Sequence, residues 1–414
     1  MMRGTDEIVA VAEELLSKRF GGTQSLTDIE KLGGSGTAIV LRARVAPSPF
    51  LQQRSVVLKY TPATNDSMDD AALIREVVSY QFTTSLPKDV RPGPVLLAYD
   101  IDSRLLVISD SGEGETFADL LNYSGPEQRL QLLRNLGQSI GRMHAGTADR
   151  EQHFDILLTR MLSRYPDTAE LHEMRDASLL VSIDNGIELL SNADVQVPHV
   201  VRDFATDAQR RLASGQHRAF TPFDLSPDNI IYAERTQFLD YEWAGFRDST
   251  FDVACVVAGF PQFLFPHTIT DVEADAFIES WVREVNGIWP NVNNRVRLQA
   301  RIVTALIGWA LASISYLYFG SMNQLVSELG NRPDSDIPDA ATEALATANI
   351  DPFDDVLSNP SLGSIVGEGS IARQDLLETF EALTRYASRG DDPRFPEVAA
   401  FANSVVERLQ AMEQ

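Results

Sequence analysis

The chain has 414 residues, 44% of them hydrophobic, and 59 acidic residues against 35 basic ones give a net charge of -24. That length allows two or three lobes around sizeable cores, while the charge argues against nucleic acid, whose phosphates need Lys and Arg, and against an anionic membrane surface. A single cysteine, Cys255, excludes an intramolecular disulfide, and the charged N-terminus carries no apolar signal core, so a cytoplasmic location is expected.

In chain order, Ile8, Val11, Ala12, Leu15 and Leu16 recur at helical spacing and predict a helix over 7–18 that Gly21-Gly22 ends. Leu32, the turn Gly33-Gly34-Ser35-Gly36 and the run 38–45 read as strand, glycine turn, strand, with a further strand over 55–60. A helix is predicted over 69–82, with Leu73, Val77 and Tyr80 on one face. Strands follow over 95–99 and 104–109 after the Pro92-Gly93-Pro94 break. Helical spacing then marks 116–121, 128–144, 155–163, 174–190 and 200–214. A short β-hairpin is expected next, with strands 229–232 and 237–240.

The uncharged stretch 302–320 approaches the length of a membrane span. Thr304, Gly308, Ser313 and Ser315 interrupt it and it stands alone, so the expectation is a buried core helix. Residues 331–369 are rich in Pro, Ser, Asp and Gly and read as a long surface loop, followed by closing helices over 373–389 and 396–412. A sheet-rich part followed by a helical part predicts an α+β, bilobal fold, with an antiparallel sheet and one helix in the smaller lobe. The expected division is 1–110 (with a leading helix over 5–19), 111–330 and 331–414.

The chemistry concentrates in Asp224-Leu-Ser-Pro-Asp-Asn229 and Phe238-Leu-Asp240-Tyr-Glu242. An Asp, an Asn five residues on, and a second Asp at the end of an apolar strand is how a kinase-type phosphotransferase arranges its base and its Mg²⁺ ligands. A loop Asp or Asn alone is commonly a turn residue. A hairpin that joins two acids and an Asn instead makes a site of oxygen ligands, which Mg²⁺ prefers. Lys59 closes the strand Val56-Val-Leu-Lys59 and is a candidate for holding phosphates, with Glu76 on the next helix as its partner. Gly33, Gly34, Ser35 and Gly36 sit where a backbone turn would approach phosphates. Taken singly, these are an ordinary strand-end lysine, a helix glutamate and a hairpin turn. His144, His153 and His172 lack metal-site spacing and read as packing or surface residues. Cys255 lies in an apolar run and reads as buried and inert.

The stretch FTPFDLSPDNIIYAERTQFLDYEWAGFRDSTFDVA (220–254) resembles the aminoglycoside phosphotransferase and choline kinase-like family, whose fold is a small-molecule version of the protein-kinase fold. The resemblance implies that Asp224 is the catalytic aspartate, that Asn229 and Asp240 are Mg²⁺ ligands, and that Asp252 braces the catalytic loop. It further implies that Ile108-Ser109-Asp110 is the connector whose backbone reads the adenine edge, and that 136–144 is the helix before a variable substrate region. It covers about 24–320. There is one departure: the family's His-Gly before the catalytic Asp is Pro222-Phe223 here, and His217 lies five residues too early to replace that His.

The leading expectation is thus a kinase that uses ATP (or GTP) with Mg²⁺ to phosphorylate a hydroxyl of a small-molecule acceptor. Asp248, Asp271, Glu273 and Glu279 would suit a cationic acceptor such as an amino sugar or amino alcohol. Two alternatives stay open: a non-catalytic relative that binds a nucleotide or a partner, favoured by Pro222, and a kinase-fold enzyme of another transfer chemistry such as nucleotidyl transfer.

Overall fold

A computed structural model describes residues 3–33, 38–64, 68–262, 268–320, 325–326 and 368–411. The predicted turn residues Gly34, Ser35 and Gly36, and the predicted loop as far as 367, lie outside the described residues.

The N-terminal part is a five-stranded antiparallel sheet in the order β1-β2-β3-β5-β4, made of β1 (Leu26–Lys31), β2 (Ile39–Val45), β3 (Ser55–Tyr60), β4 (Leu96–Asp100) and β5 (Leu105–Ser109). Two helices serve it, one on each face. On one face α1 (Thr5–Phe20) buries Ile8, Ala12 and Leu16 against Val56, Leu58, Leu105 and Val107. On the other, Val57, Leu106 and Ile108 join the core that contains Leu73, Ile74, Val77 and Val78 of α2 (Met68–Ser85). The split follows from strand geometry, since successive side chains point to opposite faces. α2 is buried nearly all round, with only Asp69, Asp70, Gln81, Thr84 and Ser85 outside its buried set. Its second flank packs on α5 (Glu151–Arg164) and α6 (Ala169–Asn192). α2 therefore belongs to the same core as the helical part.

That part begins with the two-residue strand β6 (Glu115–Thr116), then α3 (Phe117–Tyr123) and α4 (Pro126–Thr147). After α5, α6 and α7 (His199–Ser214), the chain makes β7 (Arg218–Thr221), β8 (Ile230–Tyr232), β9 (Thr236–Phe238) and β10 (Gly245–Asp248). β7 pairs with β10, and β6 completes the β8–β9 hairpin as a three-stranded sheet. β6 and the β7–β10 pair are too short for periodicity to reveal them. The closing helices are α8 (Thr250–Val257), α9 (Asp271–Val285), α10 (Arg295–Phe319), α11 (Glu368–Ser388) and α12 (Phe395–Ala411).

By length and composition α10 could cross a membrane, yet 83% of its most apolar window is buried, packed on α6, α7, α8 and α11. It is the core helix that its interrupting polar residues predicted. α4 and α9 approach closely because Gly137 and Gly141 are successive small residues on the facing stripe. A Cβ at Gly137 would lie 2.3 Å from the Phe277 carbonyl oxygen, and one at Gly141 would lie 3.0 Å from that of Trp281.

Gly137→Ala should therefore force α4 and α9 apart and lower stability by about 1–3 kcal/mol, the usual cost of overpacking. Gly287→Ala, with no atom within 4 Å of the added Cβ, should stay within about 0.5 kcal/mol of wild type. Chemical denaturation of both variants checks this.

Candidate active site

Lys59 shares its sheet face with Val57, two residues earlier, and so points toward α2. There its Nζ lies 2.8 Å from Glu76 Oε1, and on the other side 2.9 Å from Asp240 Oδ1. The predicted Lys59–Glu76 pair is thus formed, and the lysine joins it to the hairpin of the helical part.

Asp224 follows β7 and caps its own turn, its Oδ1 accepting from the Ser226 N–H at 3.2 Å. A 3₁₀ turn over Pro227–Asn229 leads into β8. In the hairpin Ile230 faces Phe238, and the Leu239 N–H donates to the Asn229 carbonyl at 2.9 Å. This register puts Asn229 and Asp240 at the same end of the hairpin, beside the Asp224 loop. Asp240 takes a left-handed conformation, φ 58°, as does Phe223 at 64°. Non-glycine residues hold such angles at a cost of order 1 kcal/mol each, and they cluster at functional sites.

Four carboxyls, Glu76, Asp224, Asp240 and Glu242, sit around one lysine here. Withdrawal from water, with the nearby Asp240 and Glu242 charges, pushes Asp224 up to about 7. Burial, with Lys59 opposing and Asp240 assisting, pushes Glu76 up to about 7. Burial and Asp240 also raise Glu242. Among the described residues no three His, Cys, Asp or Glu side chains cluster as a closed metal cage. The oxygen set of Asn229 and Asp240 suits Mg²⁺ instead, which takes one or two protein oxygens and keeps the rest for water and phosphates.

The loop is braced from behind. Trp281 on α9 donates its Nε1–H to His144 Nδ1 at 3.0 Å, and His144 Nε2 lies 3.0 Å from Asp252 Oδ2. An indole only donates, so Nδ1 accepts and Nε2 carries the proton to Asp252. All three side chains are fully buried, and burial raises Asp252, opposed in part by His144, Arg247 and the Phe223 backbone. Phe223 itself stacks on Trp309 at 5.0 Å, with the Arg247 guanidinium carbon 4.8 Å from its ring centroid. At the Pro222-Phe223 departure, then, an aromatic residue clamped between α10 and β10 supports the loop. His217 stands apart, stacked on Trp289 at 4.9 Å.

The other expected residues are placed as follows. Gly33 is exposed beyond β1. Ser109 ends β5, its Oγ accepting from the Val95 N–H at 2.9 Å. Asp110 follows it, ion-paired with Arg42 at 3.0 Å and accepting from the Gly112 N–H, so its side chain fixes the connector. Cys255 is fully buried, and burial pushes its thiol up. His172 is buried with no hydrogen bond to either ring nitrogen, and burial together with Arg75 and Arg175 pushes it down to about 3.

The four acids expected to attract a cationic acceptor do not serve that purpose. Asp248 is fully buried and bonded to Arg301 (2.7 Å), Arg211 and Thr250. Glu273 closes the capping box of α9 and pairs with Arg129 at 2.7 Å. Asp271 pairs with Arg385 and Arg389, and Glu279 with Arg283. Asp248, Asp271 and Glu273 are each paired with arginines from other elements, while Glu279 meets Arg283 one turn along α9, where both are exposed. Sequence reasoning named Glu242 in its second motif but gave it no part in the acidic group; it lies two residues from Asp240 in the turn that follows β9. Arg247 over Phe223 had no sequence signal, because the contact joins β10 to a loop 24 residues earlier in the chain.

No family model matches this chain, and no curated relative does. Solved structures to which this chain shows similarity include a choline kinase from Streptococcus pneumoniae, at 13% identity over 82% of this chain and 99% of that one, TM-score 0.40. A choline kinase from Cryptosporidium parvum shows 9% identity over 89% and 99%, TM-score 0.42. The GDP complex of an aminoglycoside 2'-phosphotransferase-IIIa variant shows 12% identity over 85% and 98%, TM-score 0.43.

The raised Asp224 has a consequence for stability. A carboxyl whose folded value lies above its unfolded one costs the fold its charge above about pH 7, and the cost vanishes as pH falls to about 4. Asp224→Asn should therefore raise the melting temperature of the nucleotide-free protein at pH 8, with the gain shrinking toward pH 5. Thermal melts at the two values check it; an equal gain at both would mean that Asp224 titrates normally.

Proposed function

We propose that this protein is a small-molecule kinase that transfers the γ-phosphoryl group of ATP or GTP to a hydroxyl. The observation that carries the reading is the Lys59 ammonium held between Glu76 and Asp240 at 2.8 and 2.9 Å, with Asp224 in the same group of charges. Phosphoryl transfer needs positioning and charge neutralisation more than covalent chemistry. Lys59 would hold the α- and β-phosphates, steadied by Glu76. Gly33 to Gly36 would cover the phosphates, and the backbone at Ser109 and Asp110 would flank the base. Asn229 and Asp240 would hold Mg²⁺, which when bound neutralises the triphosphate. Asp224, raised to about 7, would orient the acceptor hydroxyl and take its proton near neutral pH, where a general base works best.

In this reading the divisions at 110 and 330 separate a nucleotide lobe from a catalytic and substrate lobe and a C-terminal segment, and the enzyme works in the cytoplasm. The acceptor is a hydroxylated small molecule; with Asp248, Asp271, Glu273 and Glu279 paired with arginines, the proposal specifies a hydroxyl and leaves the acceptor's charge unassigned. Pro222 favours a non-catalytic nucleotide binder, but the Asp252 and Phe223 supports behind the loop favour a working site.

Mg²⁺·ATP or Mg²⁺·GTP at about 100 times its dissociation constant should stabilise the wild type by about 2.7 kcal/mol. A thermal shift that depends on Mg²⁺ and is lost in Asp240→Ala supports the nucleotide site; no shift with either nucleotide at millimolar concentration removes it. Once an acceptor screen yields a substrate, Asp224→Asn should slow phosphoryl transfer by about 10²–10⁴-fold with nucleotide binding retained. The acidic limb of the wild-type pH profile should move lower in Glu242→Gln, because the Glu242 charge helps raise Asp224. A nucleotidylated product with pyrophosphate release would instead establish the transferase alternative.

A further inference from the structure

A second cavity, of about 390 Å³, lies between α2, α5, α6 and the β7–β10 pair. None of the residues just assigned to nucleotide or metal lines it. Its volume falls in the range of small-molecule sites. Phe154, Leu158, Leu179, Leu180, Leu212 and Phe246 give it apolar walls.

Its charged lining is unevenly distributed. Arg75 and Arg247 are the buried members, 4% and 5% exposed. They share a single carboxylate, Asp176, through Arg75 Nη2 to Oδ2 at 2.9 Å and Arg247 Nη2 to Oδ1 at 3.1 Å. The Asp176 side chain is 52% exposed. Arg218 is satisfied separately, by Glu151 and by the carbonyls of Leu212, Ala213 and Phe246. Asp155 lies on the exposed side of α5. Two desolvated guanidiniums thus share one half-solvated counter-ion; Arg247 also donates Nη1 to the Trp243 carbonyl at 2.9 Å, and burial pushes it down to about 10. Arg75 gives one of its five donors to Asp176, and no other acceptor meets it among the described residues. A buried cation short of acceptors beside an apolar chamber is complementary to an anionic head on an apolar body.

We propose that this cavity binds a monoanionic amphiphile, a carboxylate on an apolar chain of about six to ten carbons, with the carboxylate on Arg75 and Arg247 and the chain among the leucines and phenylalanines. The site is independent of the phosphotransfer reading, because it needs neither nucleotide nor metal. The guanidinium fork recognises the carboxylate with paired N–H donors, while Asp176 can turn to the solvent that already wets half of it.

The test is calorimetric titration of the full-length protein, without nucleotide, with hexanoate, octanoate, octanol and octylamine. Octanoate should bind, and about fourfold tighter per methylene than hexanoate, which is about 0.8 kcal/mol per buried CH₂ converted to affinity. Octanol and octylamine should bind at least tenfold more weakly than octanoate. Arg75→Gln should weaken octanoate at least tenfold while leaving octanol unchanged. Should that variant fail to fold, Leu158→Trp, which fills the chamber without touching a charge, should abolish octanoate binding. The proposal is overturned if octanoate does not bind at 10 mM, if octylamine binds tighter than octanoate, or if Leu158→Trp leaves octanoate binding unchanged.

Discussion

The Lys59 ammonium sits between two carboxylates that arrive from different directions: Glu76 from α2 and Asp240 from the end of the β8–β9 hairpin. Three elements far apart in sequence converge on one charge. β3 supplies the lysine because its alternation points every second residue at α2. The helix supplies Glu76 because it is buried on both flanks and cannot turn its acid to water. The hairpin supplies Asp240 by holding it in a left-handed conformation. If the lysine is removed, the remaining carboxyls repel one another in a poorly solvated cleft. The same crowding that lifts Glu76 and Asp224 to about 7 makes the cleft receptive to cations. Its acidity is therefore a property of the arrangement, and the net charge of the chain contributes little to it.

Behind the charged cleft the support is buried and densely packed. Trp281, His144 and Asp252 form a buried relay of hydrogen bonds with one defined tautomer. It exists because Gly137 and Gly141 let α4 and α9 come close enough for an indole to reach an imidazole. Phe223 is fixed by Trp309 and Arg247. A loop residue held by an aromatic ring and a guanidinium tolerates a strained backbone angle that a solvated loop would relax.

Arg75 and Glu76 show how a single helix serves two environments. Adjacent residues on α2 point about 100° apart, so Glu76 meets Lys59 while Arg75 reaches Asp176 on α6. Arg247 reaches the same aspartate from β10 while covering Phe223. The second cavity and the lysine cleft therefore lie on different flanks of one buried helix, and they share its stability.

Much of this protein was legible in local sequence. The short apolar run in 55–60 and helical spacing in 69–82 located β3 and α2 to within three residues at each end. The polar interruptions in 302–320 marked α10 as a core helix. The segments 224–229 and 238–242 were readable because turn residues and a hairpin bring their side chains together over a short stretch of chain, where spacing limits distance. What only the tertiary structure decided involves partners tens to hundreds of residues apart. Whether Asp248, Asp271 and Glu273 face a cleft or an arginine depends on which helix packs beside them. The Arg75–Asp176–Arg247 cluster, the clamp on Phe223 and the relay from Trp281 to Asp252 each join separate elements. Periodicity tells a residue which side of its own helix or strand it occupies, but the neighbour on that side is chosen by packing, and so the charges that set the behaviour of this site became visible only once the elements were assembled.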